Sequence, residues 1–153
     1  MSAEATNTAY LIVVAGGQRC ALPLSSVVET MRPLPVRPLA EAPPFVAGVS
    51  IIRGQPVPVA SLATLLGSEA DDARRFIVVR AAAGSVAMAV ADVVGVRQLA
   101  GDALAAVPPL LAKANAEAVA ALASLDRDLL IVLKTAHIVD DEVWAMLDEV
   151  APR

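Results

Sequence analysis

Residues 48–59 read GVSIIRGQPVPV, and this stretch contains the most informative pattern of the chain. It predicts an apolar strand, a tight turn at Arg53-Gly54 and a second apolar strand that is interrupted by prolines. Arg53 is the one charged residue of the stretch, and it lies at the turn between two uncharged segments. We therefore expect Arg53 to be either a structural ion-pair partner or a contact residue.

Short β-rich runs bounded by turn residues recur on both sides of this stretch. Upstream, Gly16-Gly17 is predicted to turn one strand back on the next. Ser26 and Glu29 have the spacing of a capping box, so residues 25–29 can begin a helical turn. The predicted strands outside the stretch are 10–14, 19–24, 76–80, 85–90, 93–99, 119–125 and 129–133.

Prolines and charges mark the predicted connections. The segment 31–44 carries five prolines, a density that forbids a helix or a central strand and predicts an extended connection. Residues 62–66 predict a short helical turn ended by Gly67, and the charged stretch 68–75 predicts a solvated loop. Residues 113–117 predict a further helical turn, although the helix propensity of alanine favours a longer helix over 112–123.

The C-terminal region predicts a helix that is capped by Asp140 or Asp141. Its apolar residues at helical spacing are Val143, Met146, Leu147 and Val150. Roughly nine or ten short strands and one terminal helix predict an all-β fold, either small barrels or a sandwich. A boundary near residue 70 leaves each half too small for a good core of its own, which two small barrels packed face to face would solve.

Composition excludes several function classes. The net charge is -4 and the aromatic content is 3%, whereas nucleic-acid binding needs a basic field and stacking aromatics. Although 57% of the residues are hydrophobic, no segment reaches the roughly 18 to 20 apolar residues of a bilayer span. The N-terminus does not resemble a signal peptide. We predict a cytoplasmic protein that binds no nucleic acid and does not insert directly into a membrane.

The polar residues do not indicate an active site. His137 is the single histidine, and a structural role is favoured because a triad or a metal site needs partners around it. Cys20, the single cysteine, is predicted to be a small buried hydrophobe that forms no internal disulfide. Asp126 and Asp128 flank a turn, where carboxylates are common.

Glu29 and Arg53 remain as two charges, each next to apolar residues. One interpretation is a salt bridge that offsets the burial of both groups. The other is a charged pair at the edge of an apolar groove, where it fixes the register of a bound helix. Their spacing alone favours the first interpretation.

From about residue 10 to residue 147, the chain resembles the CheW-like family, the coupling adaptors of bacterial chemosensory systems. The glycine-valine, leucine-arginine-glycine and valine-proline-valine sequences of the family stand here as Gly48-Val49, Ile52-Arg53-Gly54 and Val57-Pro58-Val59. The other similar segments are ALPL at 21–24, VVE at 27–29, PPFVAG at 43–48 and LDRDLLIVL at 125–133. Together, in this order, they support the resemblance more strongly than any one motif does.

The resemblance implies one CheW-like domain over residues 1–153, built from two packed, five-stranded SH3-like barrels. The barrels would span roughly 10–67 and roughly 75–139, and a C-terminal helix would follow at roughly 140–150. It also implies that the protein is not an enzyme and needs no cofactor and no metal.

The partners that the resemblance implies are the cytoplasmic tip of a methyl-accepting chemoreceptor and the regulatory domain of a CheA-type histidine kinase. Through them the protein would be associated with membrane receptor arrays. A groove between the barrels would take a receptor helix, and exposed barrel strands would pair with the kinase domain. The implied contact positions are Val27, Glu29, Gly48, Arg53 and Gly54.

The chain also departs from the family. Ile51 stands where the family often has asparagine, and Ser61 and Ala91 stand at positions of common aspartates, while glycines near the last hairpin appear as Ala121 and Ala123. Because such losses weaken local order rather than the fold, we predict a divergent adaptor for flagellar chemotaxis, twitching motility or another pathway. The alternatives are a scaffold that binds another protein or itself through the same strand edges, and an enzyme or small-molecule binder in a barrel mouth.

Overall fold

The computed structural model describes residues 7–100, 119–125, 128–134, 139 and 141–150. Of the helices in these ranges, none has the length and hydrophobicity that a membrane crossing requires. The elements, in chain order, are β1 (Asn7–Ala15), β2 (Gln18–Pro23), a 3-10 turn (Leu24–Ser26), β3 (Val27–Met31), β4 (Val46–Ile52), β5 (Gln55–Ser61), α1 (Leu62–Leu65), β6 (Arg75–Arg80), β7 (Ser85–Val90), β8 (Asp92–Ala100), β9 (Val119–Leu125), β10 (Asp128–Leu133) and α2 (Asp141–Val150).

The strands form two five-stranded sheets. The order in the first sheet is β8-β1-β2-β10-β9, and the order in the second sheet is β3-β6-β7-β5-β4. Both sheets share one internal pattern, in which a single parallel pair, β2 with β10 or β5 with β7, joins antiparallel strands on either side. Strands β3 to β7 all belong to the second sheet, so in the chain this sheet is inserted between β2 and β8 of the first sheet.

This sheet membership differs from the predicted consecutive barrels at 10–67 and 75–139. Strands β1 and β2 share a sheet with β8 to β10, and β6 and β7 join β3 to β5. Turn residues show which neighbouring strands form hairpins, but a parallel pair brings together strands that are distant in sequence, and no local signal marks it. The chain leaves the first sheet for the second at the 3-10 turn Leu24–Ser26.

A central core lies between the two sheets, and each sheet also buries its other face. In β1, Leu11 and Val13 belong to the central core, whereas Tyr10 and Ile12 belong to a cluster on the opposite face. Strand β6 is divided in the same way between the central core and a cluster around Phe76, since successive side chains of a strand alternate. The predicted all-β class, with two packed barrel-like layers and a C-terminal helix, is confirmed.

The helical turn predicted at 25–29 is wrong in its second half. The 3-10 turn ends at Ser26, and Val27–Met31 is strand β3. The two β-branched valines of this segment favour a strand, and β6 provides its backbone partner. A capping serine does occur at the start of α1, where the hydroxyl oxygen of Ser61 accepts a hydrogen bond from the backbone N–H of Thr64 at 3.3 Å.

Several predictions concern residues outside the described ranges, namely the helical turn at 113–117, the turn at 126–127, His137 and the cap Asp140. The alternative helix over 112–123 is contradicted in its last part, because β9 begins at Val119. In α2, Val143 and Leu147 are buried as predicted. The helical turn at 62–66 and the charged loop after it are confirmed.

Candidate functional site

The turn between β4 and β5 presents Arg53 at the edge of the second sheet. Arg53 and Gly54 have φ angles of 52° and 80°, as the two central residues of a type I′ turn must have. The predicted turn is therefore confirmed. Arginine is uncommon in this left-handed conformation, so backbone preference does not explain why arginine occurs here. The explanation has to come from the contacts of its side chain.

Arg53 forms a bidentate ion pair with Glu29 of β3. Its Nε donates to Oε2 of Glu29 at 2.8 Å, and its Nη2 donates to Oε1 at 2.9 Å. The hydrogen bonds from Arg53 lower the pKa of the Glu29 carboxyl, and those to Glu29 raise the pKa of Arg53. The side chain of Arg53 is 76% exposed and that of Glu29 is 24% exposed. The interpretation of a bridge that offsets mutual burial is therefore wrong, because this pair lies at the surface.

Next to the ion pair, the second sheet opens into a groove. The parallel pairing of β5 with β7 begins only at Val59, so Pro56 and Pro58 lie where β5 has a partner strand, β4, on one side alone. Prolines are tolerated there because they lack the N–H that a second partner strand would need. The cavity, of about 390 Å³, is called the groove below and is lined by Val28, Glu29, Ile52, Arg53, Gln55, Pro56, Val57, Val78, Gly84, Ser85 and Trp144.

Trp144 closes one side of the groove, and the sequence reasoning did not single it out. Its Nε1 donates a hydrogen bond to the carbonyl oxygen of Val139 at 3.2 Å. Its ring lies against the turn between β6 and β7, where a Cβ on Gly84 would be 3.1 Å from two ring atoms. The available signal was the position of the single tryptophan beside the buried Val143 on a helix that packs against the core.

A β-bulge in β3 decides which valine faces the groove. Val27 pairs with Val79 and Glu29 pairs with Val78, so Val28 is the extra residue of β3. Bulges re-aim side chains in this way. Val28 is 45% exposed and lines the groove, whereas Val27, the residue expected at the contact, packs against the central core.

Gly48, also expected at the contact, is buried beneath the proline-rich segment. Its φ angle is 151°, and a Cβ at this position would overlap the carbonyl oxygen of Arg37. Arg37 and Val49 exchange two backbone hydrogen bonds of 2.8 Å each. Gly48 therefore allows the segment to lie on β4, and a partner cannot reach it directly.

The departures from the family pattern have different consequences here. Ser61 still provides the cap that starts α1, so this position retains a hydrogen-bonding function. The backbone N–H of Ala91 donates to the carbonyl oxygen of Val14 at 2.9 Å, a contact that needs no side chain. Ile51 is 52% exposed and adds apolar surface next to the turn at Arg53.

The described residues of the site combine an ion pair with an adjacent apolar surface. Among them, no group of three His, Cys, Asp or Glu side chains is placed to hold a metal ion. Burial raises the pKa of the Cys20 thiol to about 12, so this thiol is not a ready nucleophile at neutral pH. The carboxylate of Glu29 is engaged by Arg53. The groove offers apolar surface and an oriented ion pair, which are the features that position a protein partner.

A family comparison and a structural comparison each found a similarity for this chain. The CheW-like domain family matches residues 9–143. The crystal structure of the scaffolding protein TtCheW from Thermoanaerobacter tengcongensis is similar with a TM-score of 0.76 and 19% sequence identity, over 87% of this chain and 92% of that chain. No match was found among curated protein sequences. The family match includes strands of both sheets and every lining residue of the groove except Trp144.

Proposed function

Because the chain belongs to the CheW-like domain family, we propose that it is a non-catalytic adaptor of bacterial chemosensory signalling. In this proposal it couples the cytoplasmic tip of a methyl-accepting chemoreceptor to the regulatory domain of a CheA-type histidine kinase. It acts in the cytoplasm as a single domain, reaches the receptor arrays through its partners and needs no cofactor.

The observation that carries the proposal is the exposed ion pair of Glu29 and Arg53 at the rim of the apolar groove. An exposed ion pair contributes little to the stability of a fold, so stability alone does not account for an arginine in a left-handed turn. The contact with Glu29 holds the guanidinium in one orientation while 76% of the Arg53 side chain stays exposed. We propose that this oriented cation contacts the receptor helix and that the apolar groove receives its nonpolar side.

The five residues expected at the receptor contact have different roles in this proposal. Glu29 and Arg53 meet the receptor. Gly54 allows the turn that presents Arg53, and Gly48 allows the proline-rich segment to cover β4. Val27 supports β3 from the side of the central core.

Calorimetric titration of the purified protein with a receptor-tip fragment, and separately with the kinase regulatory domain, tests the proposal. We expect micromolar or tighter binding to each partner. Arg53→Glu should weaken binding to the receptor tip by about tenfold or more, because it removes the cation and introduces a repelling charge. Binding to the kinase domain should not change. Arg97→Glu, which reverses the charge of an exposed arginine in the first sheet, is the control for receptor binding.

A double variant separates a contact role from a purely structural clasp. Glu29→Arg combined with Arg53→Glu re-forms the ion pair in the opposite orientation. If Arg53 itself contacts the receptor, the double variant stays defective in tip binding. If the ion pair only stabilises the local structure, the double variant should regain tip binding. The absence of binding to either partner by the folded wild-type protein would contradict the proposed function.

Strand β8 favours a second candidate function, a divergent scaffold that binds another protein or itself. This strand is an edge of the first sheet, and its Val94 and Val96 are 42% and 47% exposed. Exposed apolar side chains on an edge strand favour pairing with another chain. A concentration-dependent oligomer in sedimentation, together with no kinase binding, would support this candidate, which suits twitching motility or another non-flagellar pathway.

A further inference from the structure

The groove continues past Val28 into a shallower depression of about 490 Å³. This depression, called the shelf below, is lined by Arg80 and by Ala81–83 of the turn between β6 and β7. Val28, Gly84 and Ser85 line both the groove and the shelf. The two are therefore parts of one surface, and Val28 belongs to both.

The shelf is shallow, and its surface is about as polar as it is apolar. Ala82 and Ala83 are exposed, and Ala81 is half-buried. Short side chains leave room for the bulky side chains of a partner to approach the backbone of the turn. Since the bulge in β3 turns Val28 outward, a partner that lies across groove and shelf contacts Val28 and the alanine side chains of the shelf.

Arg80 places a positive charge at the end of the shelf. It is exposed, and its Nη1 donates a hydrogen bond to the carbonyl oxygen of Ser25 at 3.2 Å. This acceptor is a neutral carbonyl group, not a carboxylate. Arg53 at the other end is already paired with Glu29. The two ends of the surface therefore differ, because Arg53 is an exposed cation paired with a carboxylate and Arg80 is an exposed cation bonded to a neutral carbonyl group.

The strand that borders the groove favours a helical partner over an extended one. Pro56 and Pro58 lie on the open part of β5 and cannot donate backbone hydrogen bonds. An extended peptide added to this edge would leave its own carbonyl groups without donors at these two positions. A helix satisfies its backbone hydrogen bonds internally and needs only apolar and charged contacts from the surface.

We propose that groove and shelf together bind one amphipathic helix of the receptor tip, with a carboxylate side chain of that helix against Arg80. The proposal rests on the proposed receptor contact and extends it by an acidic anchor. Val28 lies under the apolar side of the helix, and Arg80 fixes which end of the helix lies on the shelf.

Fluorescence of Trp144 provides the test, because it is the single tryptophan of the chain and lines the groove. The full-length protein is titrated with a tryptophan-free receptor-tip fragment. Arg80→Glu should weaken binding by about three- to tenfold, and so should Val28→Ser. Arg75→Glu is the matched control, since Arg75 lies at the opposite end of β6 and also bonds a backbone carbonyl, that of Arg74 at 2.8 Å. Its binding should equal that of the wild type.

Three further results decide the proposal. Changing one acidic residue of the tip fragment to arginine should restore binding to Arg80→Glu, which would confirm the pairing. If the wild type binds the tip, and Arg80→Glu and Arg75→Glu weaken this binding equally or not at all, the acidic anchor is overturned and the proposed function stays intact. No binding of the tip to the wild type would overturn both. Arg80→Gln replaces Arg80→Glu if the charge reversal lowers the unfolding midpoint.

Discussion

The carboxylate of Glu29 links the stability of the protein to pH. Because Arg53 lowers the pKa of this carboxyl in the folded state, protonation is harder in the folded than in the unfolded chain. The ion pair therefore stabilises the fold above the ordinary pKa of glutamate, about 4.3, and this contribution is lost as the pH falls through the lowered value. We expect Glu29→Gln to be slightly less stable than the wild type at pH 7, and the difference to shrink progressively as the pH falls below about 4.3.

Urea unfolding midpoints measured from pH 7 to pH 3 provide this comparison. Glu69→Gln is the control, because Glu69 is exposed in the loop after α1, and its midpoints should parallel those of the wild type. A difference between Glu29→Gln and the wild type that stayed constant over the whole range would contradict the link. Raised salt should reduce the difference at pH 7, since the pair is exposed and therefore screened.

Hydrogen bonds join the hairpin of β4 and β5 to the proline-rich segment that precedes it. Ser50 donates its hydroxyl to the carbonyl oxygen of Pro35 at 2.7 Å, and the backbone of Arg37 is bonded to β4. Gly48→Ala puts a methyl group into this contact at a φ angle that only glycine adopts easily. We expect it to lower the free energy of unfolding by about 2 to 4 kcal/mol, measured by urea denaturation.

Gly54→Ala is the matched control for this element. Gly54 also has a positive φ angle, 80°, but nothing lies within 4 Å of the position of its Cβ. Only the backbone cost remains, so the expected loss is about 1 kcal/mol. Equal losses in the two variants would show that the segment does not press on β4 at Gly48.

Hairpins and turns could be predicted from the sequence because their signals are local. Gly16-Gly17 and Arg53-Gly54 turn strands back as expected, with positive φ angles at both residues of each turn. The Glu29–Arg53 contact was also predictable as a pair. Its exposure was not, because burial depends on which strands become neighbours. The groove that Trp144 lines lies where the parallel pairing of β5 with β7 has not yet begun, and Val28 turns outward because of a bulge. Neither the parallel pairing nor the bulge has a local sequence signal.

The two sheets are fastened to each other at the turn between β1 and β2. The backbone N–H of Gly16 donates to Oδ2 of Asp71, in the loop before β6, at 2.8 Å. A Cβ on Gly16 would lie 2.8 Å from the side chain of Ser68, so turn and loop fit closely. Asp71→Ala should lower the free energy of unfolding by about 1 to 2 kcal/mol, whereas Asp72→Ala, at an exposed neighbouring position, should change it by less than about 0.5 kcal/mol.

Because the two sheets share the central core, urea unfolding of the wild type and of Asp71→Ala also tests whether the chain unfolds as one domain. Its side chains come from both sheets and from α2, so separating the sheets would expose apolar surface of each. The tryptophan signal of Trp144 reports on α2 and the second sheet, and far-ultraviolet circular dichroism reports on all strands. In wild type and Asp71→Ala alike, the two signals should therefore change at one urea concentration, with the variant shifted to a lower one. Two separate transitions would show that the sheets are independent units, and a groove at one edge of the second sheet would then have to work without support from the first.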